Sequence, residues 1–140
     1  MMIKMNKVKA FIERANDGSY SVYIDLDDKT LNYGIHGEGE TVEEALADFK
    51  ASYADIKTLY KEEGKPFVEA TFEFLYDLPS FLQHYSNVFS YAGLSRLTGV
   101  NQSQLSQYVQ GYRKPTKRTS MKIQEKLHSL SQELRQIQFV

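Results

Sequence analysis

A chain of 140 residues suits one domain of ordinary size or two very small ones, and its 13% aromatic content is enough to build a core. Cysteine is absent, which excludes disulfides, thiolate metal sites and a Cys nucleophile, and no stretch approaches the roughly 18 apolar residues of a membrane-spanning helix. The net charge of −1 conceals a division: residues 1–80 hold 9 Lys+Arg against 16 Asp+Glu, a balance of −7, whereas residues 81–140 hold 8 against 2, a balance of +6.

The opening Met1-Met2-Ile3-Lys4-Met5-Asn6-Lys7 lacks the long apolar run of a secretory signal, so a soluble cytoplasmic protein with no membrane partner is expected. Val8 to Ile12 alternates as a strand, with Val8, Ala10 and Ile12 on one side. Asn16-Asp17-Gly18 is a hairpin turn signal, because Asp-Gly tolerates positive φ. Tyr20 to Leu26 alternates again, placing Tyr20, Val22, Ile24 and Leu26 on one face. Asn32 to His36 reads as a third short strand, with Gly34, Gly37 and Gly39 as strand-end turns.

Thr41 followed three residues later by Glu44 has capping-box spacing. Ala45, Leu46, Phe49, Tyr53, Ile56, Leu59 and Tyr60 then recur at helical spacing, which predicts a helix from Val42 to about Glu63, stopped by Gly64 and Pro66. Val68 to Tyr76 predicts a fourth strand, its Phe/Tyr face serving as core or as a sheet edge for dimerisation. After Asp77 only helices are predicted: Pro79 to Tyr85, a helix capped by Ser90 and ending near Thr98, Gln102 to Gln110 capped by Asn101, and Ser120 to Arg135. The fold class is therefore α+β: a β-β-β-α-β domain over residues 1–77, then an all-α domain over residues 78–140.

The segment from Leu94 to Gly111 carries the functional argument. Two helices that meet at a sharp angle need a small residue where they cross, which Ser95 supplies. They also need a residue free to take positive φ between them, which Gly99 supplies. Leu105, Tyr108 and Val109 define the buried side of the second helix, with Val100 pinning its start. The opposite side offers Asn101, Gln102, Ser103, Gln104, Ser106, Gln107 and Gln110. Gln can bond adenine at two points in the major groove, and Ser can bond bases or phosphates. A helix N-terminus favours a nearby phosphate. Arg113, Lys114, Lys117 and Arg118 follow, placed for backbone contacts that fix register without reading sequence. Gly99-Val100-Asn101-Gln102-Ser103-Gln104-Leu105-Ser106, with Gly111-Tyr112-Arg113-Lys114-Pro115-Thr116, resembles the Cro/lambda-repressor type of helix-turn-helix. That resemblance implies operator duplex DNA as a partner and a homodimer as the binding form.

The first domain resembles the HicB antitoxin family. The matching residues are Gly18-Ser19-Tyr20-Ser21-Val22-Tyr23-Ile24, then Gly34 to Gly37, then Gly39-Glu40-Thr41-Val42-Glu43-Glu44-Ala45-Leu46. Asp25-Leu26-Asp27-Asp28-Lys29 departs from the family loop, which carries a proline and a cysteine. The resemblance implies a partial RNase-H-like fold, a basic HicA-like ribonuclease toxin as a partner, and repression of the operon that encodes both. An acidic domain suits a basic partner, and it equally suits attraction to its own basic half. The alternative is a dimeric transcription regulator whose first domain binds a small molecule or only dimerises.

An enzyme is not expected, and no catalytic residue, metal ligand or cofactor is assigned. Asp25, Asp27, Asp28 and Glu38 could be imagined around paired Mg²⁺ ions, but the three Asp residues share one loop. A two-metal site collects ligands from several elements. His36, His84 and His128 lack ligand spacing.

Overall fold

The Asn16-Asp17-Gly18 turn closes an antiparallel hairpin between β1 (Asn6–Arg14) and β2 (Tyr20–Ile24). Gly18 takes φ +89°, and the Asp17 carboxylate accepts hydrogen bonds from the Ser19 amide (2.9 Å) and hydroxyl (2.6 Å). Those bonds favour the charged form and hold the Asp17 carboxyl below its ordinary range. The computed structural model describes residues 6–140, so most of the opening segment read above for a secretory run lies outside them.

Two strand boundaries differ from the sequence reading. β1 runs longer than Val8–Ile12 because it is central, paired with β2 on one side and β4 on the other. β2 stops at Ile24, and Leu26, placed by alternation on the apolar face, is 76% exposed. Beyond Ile24 the Asp25 side chain accepts from the Asp27 amide (3.0 Å), and its carbonyl accepts from the Asp28 amide (3.1 Å). A side-chain-capped turn thus replaces the ladder.

The third strand is also displaced. β3 is His36–Gly39, not Asn32–His36, so Gly37 lies inside it, while Gly39 is its last residue. The cause is α1 (Val42–Glu62), packed directly on this strand. A Cβ on Gly37 would sit 2.5 Å from the Phe49 amide nitrogen, and one on Gly39 would sit 2.7 Å from the Ala45 nitrogen. Thr41 caps α1, accepting from the Glu44 amide (3.1 Å). Glu44 reaches back to the amide of Glu40, one residue before the position a capping box predicts.

β4 (Ala70–Tyr76) pairs parallel with β1, giving the order β3-β2-β1-β4. It starts two residues later than Val68 because side chains take the preceding backbone groups. Tyr33 donates its hydroxyl to the Val68 carbonyl, Asn6 donates to the Glu69 carbonyl (3.2 Å), and the Ala70 amide donates to the Tyr53 hydroxyl (3.1 Å). The core between sheet and helix contains Val8, Ala10, Ile12, Val22, Ala45 and Phe49, all at most 2% exposed. The Phe49 ring meets Phe72 edge-on at 4.9 Å and Phe74 at 5.6 Å. Full burial of such side chains contributes roughly 1.5–3 kcal/mol each. The Lys57–Glu69 and Lys65–Glu63 pairs lie at the surface, where solvent screens them, so the core holds this unit together.

The chain divides into two compact units between Asp77 and Leu78. The second contains α2 (Leu78–His84), α3 (Tyr91–Thr98), α4 (Gln102–Gln110) and α5 (Lys117–Gln136). Leu82, Leu94, Val100, Leu105, Tyr108 and Ile123 form its core. α5 begins three residues before Ser120 because Thr116 caps it, accepting from the Thr119 amide (3.1 Å). The described residues thus form a mixed α+β structure with one four-stranded sheet and five helices. No helix among them is long and apolar enough to cross a membrane.

Candidate nucleic-acid interface

The turn between α3 and α4 is built from four consecutive residues with separate tasks. Thr98, buried at the end of α3, donates its hydroxyl to the Leu94 carbonyl (2.6 Å) and accepts from the Val100 amide (3.2 Å). Gly99 takes φ +76°, and its amide donates to the Ser95 carbonyl (2.8 Å), ending the helix. Val100 plugs into the core at 6% exposure. Asn101 then caps α4 by accepting from the Ser103 amide (2.8 Å). Buried polar groups therefore all find partners inside the turn, and the apolar anchor fixes where α4 starts.

Leu105 and Tyr108 are buried and hold α4 against the rest of the unit, with Val109 half-buried beside them. Gly111 ends the helix at φ +83°, its amide bonding the Tyr108 carbonyl while the Tyr112 amide bonds the Gln107 carbonyl (3.0 Å). The candidate residues fall into three groups. Asn101, Gln102, Ser103 and Gln110 are exposed. Ser106 and Gln107 are half-buried. Gln104 is half-buried and donates its amide to the Tyr108 hydroxyl, so it braces the helix as well as lying on its polar side.

Arg113, Lys114, Lys117 and Arg118 are exposed along the α4–α5 connection and the first turn of α5. The structure adds residues that the sequence reading passed over. Lys122 reaches across from α5 to the Gly99 turn: its ammonium nitrogen lies 3.4 Å from where a Gly99 Cβ would be. Lys126 lies one turn further on, and Tyr112 is 83% exposed beside Arg113. A signal was available: Arg118, Lys122 and Lys126 recur every four residues, which puts them on one helix face.

These cations are not neutralised locally. Side-chain ion pairs such as His36–Glu38, Lys57–Glu69 and Lys65–Glu63 lie in the first unit. None of Arg113, Lys114, Lys117, Arg118, Lys122 and Lys126 lies within 4.0 Å of a carboxylate. Positive charge of this density lowers the free energy of a nearby polyanion, and displaced counterions add to that.

The first unit presents different chemistry. The Asp25 and Asp28 carboxylates accept from backbone amides of their own loop, Asp28 from that of Thr30 (2.8 Å). Among the described residues no group of three or more His, Asp or Glu is placed to hold a metal ion. An open groove of about 620 Å³ runs past this loop, lined by Tyr23, Asp25, Leu26, Asp28, Leu31 and Tyr33 among others. On the sheet face away from α1, Phe11 and Tyr23 pair across the strands at 5.8 Å, with Leu75 in register beside Phe11. Tyr23 donates to Glu13 (2.6 Å), and the bond to that carboxylate pushes its phenol up to about 12. No protein-family model, curated protein or solved structure matches this chain.

Proposed function

We propose that the protein is a DNA-binding repressor in which α3 and α4 form a helix-turn-helix. α4 is its recognition helix, set in the major groove. One observation carries this reading: the exposed polar side of α4 is flanked by Arg113, Lys114, Lys117, Arg118 and Lys122, none paired with a carboxylate. Gln102, Ser103 and Gln107 meet base edges. The cations and the α4 N-terminus meet phosphates.

The first unit then serves as the regulated half. Its −7 balance favours a basic protein partner. With its β-β-β-α-β order and the resemblance in its residues, this supports a HicB-like antitoxin that neutralises a HicA-like ribonuclease toxin and represses its own operon. The open groove beside Tyr33 favours the second reading, a regulator whose first unit binds a small molecule. A reporter driven by the protein's own promoter tests the shared claim: expression of the full chain lowers the signal, and an unchanged signal refutes it. Co-expression with the product of any short, basic reading frame found beside the gene separates the two readings. Restored growth and a co-purifying complex support the antitoxin. Neither result with an active toxin eliminates it.

A further inference from the structure

The segment after α4 holds an aromatic ring that the fold leaves uncovered. Among the described residues the Phe and Tyr rings are buried or half-buried except at Tyr112 (83% exposed) and at Phe139 (93%), which lies in the tail beyond α5. Tyr112 is nonetheless fixed at its backbone. Gly111 turns the chain at φ +83°, and the Tyr112 amide donates to the Gln107 carbonyl (3.0 Å). In this helix ending, the residue after the glycine commonly covers an apolar side chain of the last turn. Here those positions are Gln107 and Ser106, so the motif supplies no apolar partner for the ring. The hydroxyl also stands among unlike groups. In the first unit Tyr23 donates to Glu13 (2.6 Å), an acceptor that the protein itself supplies. Residues 78–124 contain no Asp or Glu, and Arg113, Lys114, Lys117 and Arg118 follow Tyr112 within six positions. A phenol among such cations is a neutral donor on a surface that gathers anions.

Length places this residue on DNA. α4 has nine residues, about 13 Å at 1.5 Å per residue, and the major groove is about 12 Å wide. A recognition helix that reads bases with its first turns therefore meets the sugar–phosphate wall at its end, and Tyr112 lies just beyond that end. Resting on the DNA reading above, we infer that Tyr112 is an uncharged anchor on the DNA backbone. Its hydroxyl donates to a phosphate oxygen, and its ring covers the adjoining deoxyribose. This role differs from that of the neighbouring cations. A neutral donor displaces no counterion, so it adds affinity without adding to the salt dependence. Because the Tyr112 amide is tied to the Gln107 carbonyl, a phosphate held at Tyr112 also sets where Gln107 stands in the groove.

Replacement of single phosphates tests it. The full chain and its Tyr112→Phe variant are titrated at several salt concentrations against three kinds of duplex: the protein's own promoter, an unrelated duplex of equal length, and promoter duplexes with one phosphate at a time exchanged for an uncharged methylphosphonate. Tyr112→Phe removes one exposed hydroxyl, so its thermal unfolding should match that of the wild type. It is expected to bind promoter and unrelated duplex alike about tenfold more weakly, the scale of one lost hydrogen bond to a charged group. The slope of log K against log[salt] should stay at the wild-type value. At one strand position the methylphosphonate should weaken the wild type about tenfold more than it weakens Tyr112→Phe. Wild-type affinity in Tyr112→Phe, a changed salt slope, a loss confined to the promoter, or the absence of any such phosphate position overturns the anchor. A wild-type chain that binds neither duplex refutes the DNA reading itself, an outcome seen before any variant is compared.

Discussion

Gly37 has no side chain because the backbone of α1 occupies the place where one would be. Gly37→Ala must push helix and strand apart, at a cost of about 3 kcal/mol, the upper part of the overpacking range. Gly34 is the internal control: nothing lies within 4 Å of its virtual Cβ and its φ is not positive, so Gly34→Ala should change stability by less than about 0.5 kcal/mol. Urea unfolding of the two variants checks the contrast, and equal midpoints would contradict the close approach. The comparison also shows which residues the sequence discloses. Gly18, Gly99 and Gly111 take positive φ inside turns formed by their own neighbours, so local pattern finds them. Gly37 answers to Ala45 and Phe49, eight and twelve residues on, and in isolation it looks like a terminator. Gln104 is similar: helical spacing places it on the polar side, but only the folded helix shows its bond to Tyr108.

At the level of elements, caps were the most legible feature. Thr41, Ser90 and Asn101, each expected as a cap, all accept a first-turn backbone amide, because a cap is settled within one helical turn. Strand limits were less legible, since ladder partners decide them. Nothing in Asn6 to Arg14 alone says that β4 will lie parallel beside it, after the whole of α1 has intervened. The α4 element separates two kinds of contact that mutation can distinguish. Gln107 lies on its polar side; under the proposed function it reads a base, so Gln107→Ala should relax preference at one operator position by about 1–3 kcal/mol while leaving the salt dependence intact. Under the same proposal Lys114 touches phosphate, so Lys114→Ala should weaken binding to every duplex and lower the salt slope by about one. Binding isotherms on a set of single-base operator variants, repeated at several salt concentrations, resolve both effects. Identical behaviour of the two variants would refute the division of labour.

Taken as a whole, the molecule concentrates opposite charges in separately folded units, −7 in the first and +6 in the second. Counting residues discloses that division, and the structure shows how the charges of each unit are placed. The first unit pairs several of its own charges, as in Lys57–Glu69 and Lys65–Glu63, whereas the second leaves its cations at α4 and along α5 without carboxylate partners. Which cations converge was legible only in part. Arg113 to Arg118 are clustered in sequence, but Lys122 joins them because α5 folds back over the α3–α4 turn. The most direct measurement is fluorescence anisotropy of the full chain. It compares the protein's own promoter with an unrelated duplex of equal length as salt is raised. The account predicts tighter binding to the promoter by about 10³-fold or more, with log K falling linearly against log[salt] on both duplexes. Equal affinity for the two duplexes, or binding that salt does not weaken, would contradict it.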